Sequence, residues 1–145
     1  MKTIILTLGI LISVNFQSCS VSIDENLNSQ YQYSKRIVNL WYLKKQFVNG
    51  VEQNLSECNN GDFFDIATNN QLIFYNYTLN GVDCVTSVEY AQWSISKTHL
   101  TIDWSVDNTI LTEQLEILEL TDSTFRFKKE IEGLGTLEEI YSETP

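Results

Sequence analysis

The sequence predicts an all-β domain that folds as an eight-stranded antiparallel up-and-down barrel. Aromatic and β-branched runs of strand length recur from residue 37 to residue 142. Turn residues separate these runs about every 8–12 positions, which is the spacing typical of all-β domains. The one proline, Pro145, lies outside all of them, so no strand is interrupted. Because the links are short, neighbouring strands are expected to pair in sequence and to close into a barrel without free edges.

Turn signals and the alternation of apolar residues place the individual strands. The pairs Asn49-Gly50 and Asn80-Gly81 each end a strand, because both residue types tolerate the positive φ of tight turns. Within a strand, apolar side chains recur at every second position and are expected on the buried face. The predicted strands cover residues 37–48, 62–67, 72–79, 86–96, 99–105, 109–120, 123–131 and 136–142.

The segment 109–120 fits two secondary structures. Leu111, Leu115 and Leu118 would form the apolar stripe of a helix, with the acidic residues between them on another face. The strands predicted on both sides and the turn residues 121–123 favour a β-strand. We interpret the segment as a strand and keep the helix as the alternative.

The first 18 residues have the layout of an export signal. A lysine follows the first methionine, and an apolar run extends from Thr3 to Val14, well short of the ~20 residues that span a bilayer as a helix. Residues 16–19, Phe-Gln-Ser-Cys, resemble a lipobox. We expect cleavage between Ser18 and Cys19 and a lipid on the Cys19 thiol, making an outer-membrane lipoprotein that faces the periplasm or the cell surface. An ordinary secretory signal is the alternative.

The remaining chain divides into a tether and one domain. Residues 20–36 are polar and lack sustained periodicity, so we expect residues 19–36 to be a lipidated, flexible tether and residues 37–145 to form the barrel. The full chain carries a formal net charge of −10, which repels phosphate backbones and excludes nucleic acid as a probable partner. With Cys19 used for lipid, Cys58 and Cys84 remain, and an exported domain favours a disulfide between them. Free thiols or a metal pair are the alternatives.

Several core positions resemble the lipocalin-like domains of small Bacteroidota lipoproteins. The resemblance is a pattern of strand residues separated by the two cysteines Cys58 and Cys84, and it covers most of the chain after the signal. The strand residues that carry it are Leu40-Trp41-Tyr42-Leu43, Leu72-Ile73-Phe74, Gln92-Trp93-Ser94-Ile95, Leu100-Thr101-Ile102 and the run from Ile117 to Phe127. It implies a barrel fold and the binding of an apolar ligand.

The sequence contains no constellation typical of an enzyme, a cofactor or a metal site. His99 is the one histidine, so a transition-metal site lacks its usual ligands, and a surface position is expected. The acidic pairs Asp62/Asp65 and Glu138/Glu139 point to opposite faces of their strands, whereas glycoside hydrolysis needs two converging carboxyl groups. We predict no catalytic activity.

The numerous aromatic residues support two functional hypotheses. In the first, a membrane-anchored binding protein holds a small apolar ligand inside the barrel, and Tyr75, Trp93 and Trp104 are the candidate lining residues. In the second, the aromatic side chains fill the barrel, and the protein binds another envelope protein through its acidic surface, for example as an inhibitor. A continuous apolar void of several hundred Å³ that opens at one end would favour the first.

Overall fold

The computed structural model of the chain describes residues 25–107 and 109–145. The predicted export signal, the cleavage site at Ser18 and Cys19, and the tether before residue 25 lie outside the described residues. Among the described residues, no helix is long and apolar enough to cross a membrane.

Residues Glu25–Ile37 form helix α1, where the sequence predicted flexible coil. Tertiary contacts hold this helix against the barrel: Ile37 is fully buried, and Arg36 forms an ion pair with Asp122 at 3.2 Å. The indole Nε1 of Trp41 donates a hydrogen bond of 2.7 Å to the Ile37 carbonyl. The coil prediction for residues 25–36 is therefore wrong, and the first strand begins at Leu40 rather than at residue 37.

All eight predicted strands are present, including the segment for which a helix was the alternative. Two short elements were not predicted: a two-residue strand at Val51–Glu52 and a 3-10 helix at Asn59–Gly61. The strands are β1 Leu40–Val48, β2 Val51–Glu52, β3 Phe63–Ile66, β4 Gln71–Asn80, β5 Asp83–Ile95, β6 His99–Val106, β7 Thr109–Leu120, β8 Thr124–Ile131 and β9 Gly135–Ser142.

Strand β1 closes the barrel. Each strand from β3 to β8 pairs antiparallel with the next, and β1 pairs with both β3 and β9. Residues Leu40–Tyr42 lie opposite β3, whereas residues from Tyr42 to Val48 lie opposite β9. A register shift between Leu43 and Lys45 separates the two pairings, and such bulges bend a strand. The prediction of an eight-stranded antiparallel barrel with sequential strand order is confirmed.

The two halves of the barrel differ in how they are filled. We call the half next to α1 the helix half, and the half that contains the β4–β5 and β6–β7 turns the open half. In β5, Trp93 and Ile95 are buried in the helix half, whereas residues 83–90 are all exposed. Trp41, Phe125 and Phe127 are also buried almost completely. The apolar core therefore lies in the helix half.

Candidate functional site

A cavity of about 710 Å³ occupies the open half of the barrel. Its apolar walls include Phe74, Trp104 and Leu111. Phe64 and Tyr141 line the cavity and also belong to the buried core cluster, with ring centroids 5.1 Å apart. These two rings therefore separate the cavity from the filled helix half.

The cavity opens sideways because two hairpins separate in the open half. Strands β5 and β6 pair from Ile95 only as far as Ala91, which lies opposite Trp104. Beyond that point β5 pairs with β4 and β6 pairs with β7, with no further β5–β6 pair among the described residues. Val88, Tyr90 and the end of β6 at Ser105 and Val106 line the resulting cleft, which we call the side cleft.

A buried carboxylate lies at the inner end of the cavity. Glu139 is only 8% exposed, and its two oxygens accept hydrogen bonds from Gln46 Nε2 at 2.8 Å and from the Tyr141 hydroxyl at 3.0 Å. Burial raises the pKa of Glu139, while the Gln46 hydrogen bond and the positive charge of Lys129 oppose that rise. Burial, followed by the charge of Glu139, also raises the pKa of Tyr141 well above its ordinary value, so Tyr141 remains a hydrogen-bond donor.

A second set of polar side chains lies on the two strands next to β9, with Lys129 on β8 and Glu113 on β7. Lys129 Nζ contacts Glu113 Oε1 at 2.6 Å, and Trp104 Nε1 donates a hydrogen bond of 3.3 Å to Glu113 Oε2. Both charged side chains are partly buried. Glu89 also lines the cavity at its solvent side.

The predicted disulfide between Cys58 and Cys84 is confirmed, with a Cα–Cα distance of 5.4 Å. Cys58 is buried in the loop that precedes β3, and Cys84 is near the start of β5. The bond therefore holds the β4–β5 hairpin, one wall of the side cleft, against the barrel. Nearby Asp62 accepts hydrogen bonds from the Tyr77 backbone N–H at 2.7 Å and from Asn59 Nδ2 at 3.2 Å, and burial raises the pKa of Asp62.

The three candidate lining residues occupy three different environments. Trp104 lines the cavity. Trp93 is buried in the helix half, where its Nε1 donates a hydrogen bond of 3.0 Å to the Ala67 carbonyl. Tyr75 stacks on Phe63 at 4.3 Å, with an interplanar angle of 11°, and it does not line the cavity. The assignment of Trp93 and Tyr75 to the lining therefore needs correction.

Sequence reasoning missed Glu113, Lys129 and Glu139. The alternation of the strands contains a signal for two of them, because Lys129 is two residues beyond Phe127 and Glu139 is two residues before Tyr141. Side chains two apart on a strand share a face, so a charge in series with buried aromatic residues points into the barrel.

The structure does not bring the other titratable candidates together. His99 is half-buried, and its Nδ1 lies 2.9 Å from the neighbouring Thr98 hydroxyl. The pair Glu138/Glu139 diverges, since Glu138 contacts Arg126 at 2.7 Å while Glu139 lines the cavity. Across residues 25–107 and 109–145, no group of three or more His, Cys, Asp or Glu side chains could hold a metal ion.

Sequence comparison matches residues 37–127 to the family described as "Lipocalin-like domain". The chain belongs to this lipocalin-like family. The matched range ends at Phe127 and therefore excludes Lys129, Glu139 and Tyr141, which complete the cavity of this lipocalin-like domain. No curated protein sequence matches the chain.

Similarity to a solved structure supports the same fold. It is the crystal structure of an uncharacterized protein from Bacteroides eggerthii DSM 20697, determined at 2.60 Å resolution. The two proteins superpose with a TM-score of 0.53 and 14% sequence identity, over 73% of this chain and 98% of the other. At that identity the similarity shows a shared fold alone.

Proposed function

We propose that this lipocalin-like domain binds a small, largely apolar molecule in the open half of its barrel. The observation that carries the proposal is the cavity of about 710 Å³, since small-molecule sites usually measure about 300–1,000 Å³ and are lined by apolar and aromatic side chains. The side cleft supplies a route of entry that needs no opening of the filled helix half.

Exposed apolar side chains in the open half are evidence for a ligand at this position. Leu111 lies opposite Trp104 in the β6–β7 register and lines the cavity, yet it is 54% exposed. A ligand that covered it would remove apolar surface from water, which is favourable by roughly 25 cal/mol per Å². The hypothesis of a completely filled barrel that binds a protein through its acidic surface is less well supported, because the void interrupts the packing that it requires.

We propose further that the domain works in the cell envelope, anchored by a lipid on Cys19. The support is the apolar run and the lipobox-like residues 16–19. Replacing Cys19→Ala is expected to move the protein from the membrane fraction to the soluble fraction and to remove the mass of the acyl chains. Fractionation and mass spectrometry of the mature chain measure both. Equal solubility of the two forms would rule out the anchor.

A cavity-blocking substitution tests ligand binding. Leu111→Trp places a large side chain inside the cavity, so we expect it to weaken binding of the neutral probe N-phenyl-1-naphthylamine about tenfold or more, which corresponds to roughly 1.4 kcal/mol. Probe fluorescence measures the dissociation constant. Ile110→Trp is the matched control, because Ile110 is 70% exposed and adjacent in β7 but does not line the cavity. Equal loss in both variants, or no binding to the unchanged protein, would contradict the proposal.

A further inference from the structure

The charges along the cavity are unbalanced. Three carboxylates line it, those of Glu89, Glu113 and Glu139. Of the described residues in the lining, Lys129 is the one cation, and its ammonium already contacts Glu113 at 2.6 Å. Glu139 and Glu89 therefore face the cavity without a directly bonded cation among the lining residues.

The lack of a paired cation is most unfavourable for Glu139, because this carboxylate is buried. Its side chain is more than nine-tenths buried, and the two hydrogen bonds that it accepts come from the neutral groups of Gln46 and Tyr141. A buried charge is expensive unless it is paired. A carboxylate offers about four acceptor positions, so both oxygens retain capacity for another donor. The charge of Lys129 lowers the pKa of Glu139 and that of Asp62 raises it, but the Lys129 ammonium is bonded to Glu113.

We propose that the cavity takes a cationic amphiphile, a molecule with an apolar body and one protonated amine that lies against Glu139. This inference rests on the proposed function and specifies the ligand class of the same cavity. The ammonium supplies the positive charge that the Glu139 carboxylate lacks. The apolar body contacts Phe74, Trp104 and Leu111, and the faces of the aromatic rings also attract a cation.

Anionic amphiphiles fit the same cavity poorly. A carboxylate or phosphate head would compete with Glu113 for Lys129 and would be repelled by Glu89 and Glu139. A neutral alcohol donates a hydrogen bond to Glu139 but brings no charge. The expected order of affinity is therefore amine, then alcohol, then carboxylate.

Three ligands with the same ten-carbon chain test this order: decylamine, decanol and decanoate. Each ligand is added, below the concentration at which it aggregates, to a complex of N-phenyl-1-naphthylamine with the mature chain carrying Cys19→Ala. Displacement of the probe measures the affinity of the ligand. This variant has no lipid to compete for the cavity. We expect decylamine to bind about tenfold more tightly than decanol, which corresponds to roughly 1.4 kcal/mol, because its hydrogen bond to Glu139 is charge-assisted. Decanoate is expected to bind least tightly.

Two charge-removing variants distinguish binding at the cavity carboxylate from general attraction to the acidic surface. Glu139→Gln keeps the shape of the side chain and is expected to reduce the preference for decylamine over decanol to about threefold or less, with decanol affinity nearly unchanged. Glu119→Gln removes the same charge from an exposed position on β7 and should leave the preference intact. If Glu139→Gln does not fold, Glu89→Gln replaces it, because Glu89 is exposed and lines the cavity, and a smaller loss of the preference is then expected.

Each remaining outcome decides one of the two proposals. If none of the three ligands displaces the probe, the proposed function fails. If decanol or decanoate binds most tightly, the ligand class is wrong while the binding function stands. If Glu119→Gln reduces the preference for the amine as much as Glu139→Gln, general attraction to the acidic surface explains it and the site is overturned.

Discussion

Replacing Trp41→Ala is expected to lower the free energy of unfolding by about 3–5 kcal/mol, the usual cost of removing a fully buried large aromatic side chain. The Trp41 side chain is completely buried, and its ring centroid lies 5.8 Å from that of Phe125. Its hydrogen bond to the Ile37 carbonyl also joins β1 to α1. The substitution therefore removes both packing in the helix half and the attachment of the helix.

Urea denaturation followed by circular dichroism measures this loss. Trp104→Ala is the matched control, because Trp104 is partly buried at the wall of the cavity and should cost only about 1–2 kcal/mol. Equal losses for the two tryptophans would contradict the assignment of the core to the helix half.

Removing the disulfide with Cys58→Ala and Cys84→Ala together is expected to lower the free energy of unfolding by about 3–4 kcal/mol. The bond spans a sequence separation of 26 residues, and the chain-entropy estimate for a loop of this size gives that magnitude. Urea denaturation with and without a reductant measures the effect. The reductant should destabilise the unchanged protein and leave the double variant unaffected.

The same double variant should also bind the neutral probe less tightly. The disulfide joins the loop before β3 to the start of β5, and the β4–β5 hairpin forms one wall of the side cleft. A hairpin without this bond samples more conformations, so ordering it costs more on binding. Unchanged probe affinity in the folded double variant would show that the hairpin is positioned without the disulfide.

The strands were predictable from local signals, whereas the helix was not. Period-two alternation and Asn-Gly turns depend on neighbouring residues, so they placed every long strand within a few residues. Segment 25–37 is polar and depends on contacts that are distant in sequence, such as the pair between Arg36 and Asp122. A local sequence pattern does not predict a contact between residues so far apart in the chain.

The sequence predicted a ligand cavity as one of two hypotheses, but it did not predict most of the residues that line the cavity. Tyr75 was assigned to the lining although its neighbour Phe74 has that role. A continuous apolar and aromatic run such as residues 72–75 does not reveal which alternate set points inward. Glu113 and Lys129 both line the cavity in the open half. Alternation places Lys129 on the inner face with Phe127, whereas in the sequence Glu113 resembles a residue of a solvated outer face. Alternation predicts which residues of a strand point into the barrel. It does not predict where along the barrel the packed core ends and the cavity begins.

The most direct test of the account is the location of a bound small molecule within the barrel. Intermolecular nuclear Overhauser effects between isotope-labelled protein and unlabelled N-phenyl-1-naphthylamine report side chains that lie within about 5 Å of the probe. We expect contacts with Phe74, Trp104 and Leu111 and none with Leu100 and Leu115, which are buried in the helix half. Contacts confined to exposed outer residues such as Val82 and Ile110 would contradict a binding site inside the barrel.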